Sequence, residues 1–168
     1  MPKIIQNLEQ KLLQETVRQI RDHGYSATTV RSVAKACGVG VGTVYNYFPS
    51  KEALLATYML SDWKTCIAAI EAVSTYSDTA KPVIRCIWDQ LVLFAHRHEA
   101  IFRDEGAAAV FHGSLGPYHT LLRNQLAAPL EKFCADDFAA QFIAENLLVW
   151  SMAGKEFDAV YALVKKLI

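Results

Sequence analysis

Residues 36–55 read ACGVGVGTVYNYFPSKEALL, with three glycines alternating with valines ahead of an aromatic cluster and a proline. Such a stretch is either a loop that cradles phosphate or the tight corner between two short helices. Spacing separates the two. A dinucleotide fingerprint needs G-x-G-x-x-G after a strand, whereas the glycines here are Gly38, Gly40 and Gly42, with Thr43 following. No Lys-Ser or Lys-Thr pair follows them as a P-loop requires, and the preceding VRSVAKAC has helical periodicity. Two short helices crossing steeply need a small residue at their contact and a permissive corner between them. Ala34 and Gly38 supply these, and Val30, Val33, Cys37, Val39 and Val44 form the inward apolar set.

On this reading GTVYNYF is a recognition helix ended by Pro49, which lacks the donor needed to extend it. Val44 and Phe48, four apart, turn inward and leave Thr43, Tyr45, Asn46 and Tyr47 outside. Those groups suit duplex DNA. Asn bridges adenine N6 and N7, Thr touches a base or a thymine methyl, and Tyr hydroxyls with Lys51 reach phosphates. Gly42 lets the helix N-terminus approach the backbone closely.

Outward from this motif the chain reads as helix throughout. Leu13, Val17 and Ile20 form the stripe of a first helix over about 5–23, closed by Gly24. Thr28 and Thr29 offer cap hydroxyls for the second. Ser50 opens a long helix to about residue 74, and Pro82 lies in the first turn of another that ends near His98. AIFRDEGAAAVF is helical and HGSLGP a loop, with Pro117 opening a helix to about Cys134 that Pro129 kinks. Asp136 or Asp137 caps a helix over about 136–153, and Gly154 separates it from a last one over 156–168. The expectation is an all-α fold of about nine helices: a three-helix domain over 1–50 and a helical domain over 51–168.

The 168 residues carry equal numbers of acidic and basic side chains, but unevenly. Residues 1–51 hold seven basic groups against three acidic ones, and the remainder ten against fourteen. A basic head on an acidic body is expected when one end meets a polyanion. Cys37, Cys66, Cys86 and Cys134 form no C-x-x-C pair, and no apolar run approaches 18 residues. A reduced, cytoplasmic protein with no membrane partner is expected.

TTVRSVAKACGVGVGTVYNYFPSKEALL resembles the DNA-binding segment of the tetracycline-repressor-like (TetR) family of bacterial transcriptional regulators. The resemblance implies operator-binding homodimers, with a four-helix interface built from the last two helices and a helical domain whose small-molecule effector alters the separation of the heads. It places Thr28 or Thr29 and Arg31 on phosphates, Thr43, Tyr45 and Asn46 in the groove, Tyr47 and Lys51 on phosphates, and Gly42 at the conformational glycine. Two positions depart from the pattern: Gly40 and Val41 stand where many members carry Ser and Lys, so a capping hydroxyl and a groove-facing cation are missing.

For an effector pocket the candidates are Trp63, Cys66, Trp88, Phe94, His98, Phe102, Phe111, His112, Tyr118 and Trp150, apolar walls with a few polar groups. Phe138, Phe142, Ile143, Leu147, Val149 and Trp150 give the penultimate helix more apolar surface than one small domain covers. His96 and His98 face different sides of a helix, and no i, i+4 histidine pair, nucleophile elbow or H-E-x-x-H is present, so no metal, cofactor or catalysis is expected. The function implied is a repressor released from its operator by a small, largely apolar ligand. The alternatives are an interaction module with a degenerate helix-turn-helix and a helical carrier or enzyme.

Overall fold

The computed structural model describes residues 7–168, except for the side chains of 110–118. Among the described residues every regular element is helical. They are α1 (Leu8–His23), α2 (Val30–Ala36), α3 (Val41–Tyr45), α4 (Lys51–Tyr76), α5 (Ala80–Arg97), α6 (Glu99–Arg103), α7 (Glu105–Ala127), a 3-10 segment (Ala128–Phe133), α8 (Asp137–Met152) and α9 (Phe157–Val164).

The chain forms two compact units, which do not divide at residue 50. One joins the described residues up to Ser61 with His98–Gly113, and the other joins Asp62–Arg97 with Ser114–Ile168. The reason lies in α4 and α6. The first turns of α4 bury Leu54, Leu55 and Met59, and α6 packs against α1 in the same unit.

In the first unit α1 buries Leu8, Leu12, Leu13, Thr16, Gln19 and Ile20, the i, i+4 stripe of an amphipathic helix. Gly24, at φ 83°, ends it, donating its N–H to Ile20 O at 2.8 Å. Leu12 and Leu13 join Val30, Val33, Ala34, Val44, Phe48 and Leu54 in one core, against which Cys37, Val39 and Val41 pack. Gly38 turns the corner at φ 68°, and the Val39 N–H donates to Ala34 O at 3.0 Å. Ser50 Oγ accepts the Ala53 N–H at 3.2 Å and caps α4.

In the second unit α5 buries Val83, Ile84, Ile87, Trp88, Leu91 and Phe94 and packs against α8, which contributes Ala140, Ile143, Ala144 and Leu147. The Asp136 carboxylate accepts the Ala139 N–H at 2.8 Å, so of the two expected caps Asp136 is the one used. HGSLGP is helical and not a loop, because α7 runs through it. Glycine and proline are a weak prior, and helix-forming stretches on both sides carry the backbone through. Pro129 does not kink a helix: α7 ends at Ala127 and the chain tightens into 3-10 geometry, which the missing donor permits. The last helix stops at Val164.

Candidate nucleic-acid interface

The interface is built on two short helices with different starts. Thr29 caps α2 with a reciprocal box: its Oγ1 accepts the Ser32 N–H at 3.0 Å, and Ser32 Oγ accepts the Thr29 N–H at 3.0 Å. The box is tied to α1, since the Ser32 hydroxyl donates to Gln19 Oε1 at 2.5 Å. Gly40 caps α3 with no side chain. A Cβ there would meet only Thr43 Oγ1 at 3.8 Å, so the missing serine reflects no lack of space.

Val44 is fully buried and Phe48 nearly so, while Tyr45 is 53% and Tyr47 49% exposed and Asn46 is exposed beside them. Thr43 is half-buried. Gly42 is exposed, and a Cβ on it would touch nothing within 4 Å. Neither crowding within the chain nor a positive φ calls for glycine here, and its bare backbone faces outward.

Two residues expected on phosphates also bond within the chain. Thr28 is buried, and its hydroxyl donates to Gly24 O at 2.9 Å, because the α1–α2 turn folds back on itself. Lys51 Nζ donates to Tyr25 O at 2.7 Å and lies 3.6 Å from the centroid of the Tyr25 ring. Arg18 pairs with Glu15 and Asp22, and Arg21 with Asp22, so part of the basic excess is neutralised locally. Arg31 and Lys35 are exposed on α2, with no carboxylate partner among the described residues. The Cys37 thiol reaches Lys11 O at 3.8 Å and burial pushes its pKa up, so it packs and is not a thiolate.

The reading of the sequence missed the groups that support this surface. Tyr25 is buried: its hydroxyl donates to Glu52 Oε1 at 2.7 Å, and its N–H donates to Asp104 Oδ2 at 2.7 Å. The Tyr25 N–H, with that of Ala107, holds the Asp104 carboxyl below its ordinary range, and the Tyr25 hydroxyl does the same for Glu52. Burial, reinforced by Glu52, raises the Tyr25 phenol. Asp104 lies 79 positions from Tyr25, a separation that leaves no local signal in sequence.

Trp63, Cys66, Trp88 and Phe94 lie in the interior of the second unit, where Trp63 meets Phe94 edge to face and donates Nε1–H to Gln125 Oε1 at 2.8 Å. His98 and Phe102 belong to the first unit, where the buried His98 ring packs edge to face on both Tyr58 and Phe102. Trp150 is 40% exposed, its Nε1–H donating to Asn146 Oδ1 at 3.2 Å. The side chains of Phe111, His112 and Tyr118 lie outside the described residues. Among the described residues no three His, Cys, Asp or Glu gather as metal ligands, and no helix is long and apolar enough to cross a membrane.

A family model for bacterial regulatory proteins of the tetR family matches residues 12–58. The HTH-type transcriptional regulator BetI of Agrobacterium fabrum is 30% identical over 165 residues, an alignment taking in 87% of this chain and 75% of that protein. The chain belongs to the tetR family. It is a transcriptional regulator with a DNA-binding helix-turn-helix, and the family is one of regulators and not of enzymes. The regulator is also 33% identical over 78 residues to YuxN of Bacillus subtilis, spanning 46% of its own length and 27% of that relative's. Its fold matches that of the fatty acid degradation regulator FadR from Bacillus halodurans with a TM-score of 0.58 at 21% identity, covering 98% of this chain and 94% of the other.

Proposed function

We propose that the regulator is a homodimeric repressor that leaves its operator when a small, largely apolar effector enters the second unit. The observation that carries the DNA half is the division of α3 and the three residues that follow it into a buried pair, Val44 and Phe48, and an outward set, Tyr45, Asn46 and Tyr47, beside Thr43 and a bare Gly42. We assign base reading to Thr43, Tyr45 and Asn46 and phosphate contacts to Thr29, Arg31 and Tyr47, with Thr28 and Lys51 as internal supports. Thr29 Oγ1 accepts its capping bond, which leaves the hydroxyl proton for a phosphate oxygen.

The dimer half rests on α8 and α9. Phe138 (74% exposed), Phe142 and Val149 recur at i, i+4 and i+11 on one face of α8, and Leu163 of α9 is 67% exposed. A second copy of the same surface would bury them in an isologous contact. Support for the effector is the aromatic interior of the second unit with Trp63, Cys66, Trp88 and Phe94 and the Gln125 amide as a polar handle. An effector that prefers the conformation with mismatched heads lowers DNA affinity by the ratio of its affinities for the two states.

The test is selection of bound sequences from random duplex DNA, then compound pools added to the complex. One selected sequence, bound by a dimer and released by a compound, is the expected result. A dimer with no sequence preference would favour the degenerate interaction module instead.

A further inference from the structure

Two distant segments of the first unit converge on Tyr25. Its N–H donates to Asp104 Oδ2, its carbonyl accepts Lys51 Nζ and its hydroxyl donates to Glu52 Oε1, each at 2.7 Å. Asp104 itself separates α6 from α7, and its other oxygen accepts the Ala107 N–H at 3.0 Å. The neighbouring glycines make room for this carboxylate. A Cβ on Gly106 would stand 3.3 Å from Asp104 Oδ1 and 3.3 Å from Tyr25 Cδ1, and one on Gly24 would stand 3.2 Å from Asp104 Oδ2.

What is anchored there is the base of the DNA-binding surface. The Tyr25 carbonyl also accepts the Thr28 N–H at 3.2 Å, and Thr28 returns its hydroxyl to Gly24 O, so the turn is a closed, bonded loop. It runs directly into Thr29, the cap of α2. Lys51, held by the same carbonyl, is the first residue of α4 and follows α3 by a short loop. The start of α2 and the start of α4 are thus fixed to one loop, and α3 hangs between them.

We propose that Asp104 is a positioning residue for DNA binding, acting through the Tyr25 N–H to hold α2 and α3 at the tilt at which their outward side chains share one groove. The proposal rests on the DNA-binding reading and adds to it a residue far outside the helix-turn-helix. A carboxylate suits the role because its two oxygens accept from two separate N–H groups. Asparagine has one acceptor oxygen and would turn its amide toward one of the donors.

The test uses the full chain and a duplex selected from random DNA, with affinity measured across a salt series and backbone amide exchange measured in parallel. Asp104→Asn is expected to lose about tenfold in affinity, the scale of one charge-assisted hydrogen bond, with the salt slope unchanged. Exchange should quicken at the Tyr25 amide and through α2 and α3. Asp104→Glu should recover part of the affinity. Arg31→Ala, by contrast, should flatten the slope and leave exchange unaltered. Affinity within twofold of wild type while Tyr25 exchange rises would overturn the proposal, as would a loss in Asp104→Asn that flattens the slope. If Asp104→Asn does not fold, Gly106→Ala crowds the same carboxylate and the Tyr25 ring without changing charge, and wild-type binding in that variant alongside quickened Tyr25 exchange overturns the proposal equally. A wild-type chain that enriches no duplex from the random pool removes the DNA-binding reading and this proposal with it.

Discussion

Ser32 Oγ donates to Gln19 Oε1 at 2.5 Å, which joins the capping box of α2 to the buried face of α1. Gln19 is itself held by Glu15, whose Oε1 accepts its amide at 2.8 Å, and the Arg18 guanidinium beside Glu15 keeps that carboxyl below its ordinary range. Without Gln19 the Ser32 hydroxyl keeps only Thr29 O, 2.8 Å away, and without the Thr29 hydroxyl the Ser32 N–H loses its cap. Gln19→Ala should therefore cost about 0.5–1.5 kcal/mol and Thr29→Ala about 1 kcal/mol. Because both act on one network, the double variant should fall short of or exceed their sum by at least about 0.5 kcal/mol in urea unfolding. Strict additivity would show that the box and Gln19 are independent.

Val41 stands at the first position of α3, half-buried against the head core, where a lysine stem can cover the same surface and carry its ammonium outward. Val41→Lys should raise affinity for nonspecific duplex and steepen the plot of log affinity against log salt by about one. Footprints of the two proteins on the selected operator would show whether Val41 meets a thymine methyl, in which case the preference at that base pair weakens in the variant. An unchanged slope would place position 41 away from phosphate.

How much of this was legible in the sequence differs by element. Where structure is set by neighbours along the chain, the reading held: Gly38 at the corner, Val44 and Phe48 inward, Asp136 as a cap. Where it is set by partners distant in sequence, it did not. Nothing near Lys51 announces that its ammonium is taken by Tyr25, 26 positions earlier, and nothing near Asp104 points to Tyr25. The HGSLGP segment failed for another reason, since local propensity was asked to decide what the flanking helix decides.

Phe142 lies on the exposed face of α8, its ring 6.4 Å from that of Phe138. An exposed side chain contributes little to the fold of one copy, so Phe142→Glu should retain helicity and thermal stability of the isolated chain. Two carboxylates facing each other across an isologous contact are costly, and sedimentation should shift from dimer to monomer at micromolar concentration. Operator affinity should fall with it, because the two half-sites no longer bind as one. A variant that remains dimeric would move the interface away from this face.

The Tyr25 cluster sets the pH range of stability, and the signs at its two ends are opposite. Asp104 and Glu52 are held below their ordinary values in the folded chain, so their contribution is complete above about pH 4–5 and is lost as pH falls through their folded values. Tyr25 is raised above its ordinary value, so its contribution is complete below about pH 10 and is lost as pH rises through the folded value. The urea midpoint should be level from about pH 6 to pH 9 as far as these groups determine it, and decline on both sides. Asp104→Asn combined with Glu52→Gln should flatten the acid limb and, by removing the carboxylates' share of the Tyr25 shift, soften the alkaline one, whereas Tyr25→Phe should lower the plateau, flatten the alkaline limb and remove the part of the acid limb that Glu52 supplies. An acid limb that survives unchanged in the double variant would assign acid sensitivity to other carboxylates, of which Glu15, lowered by Arg18, is the first to replace.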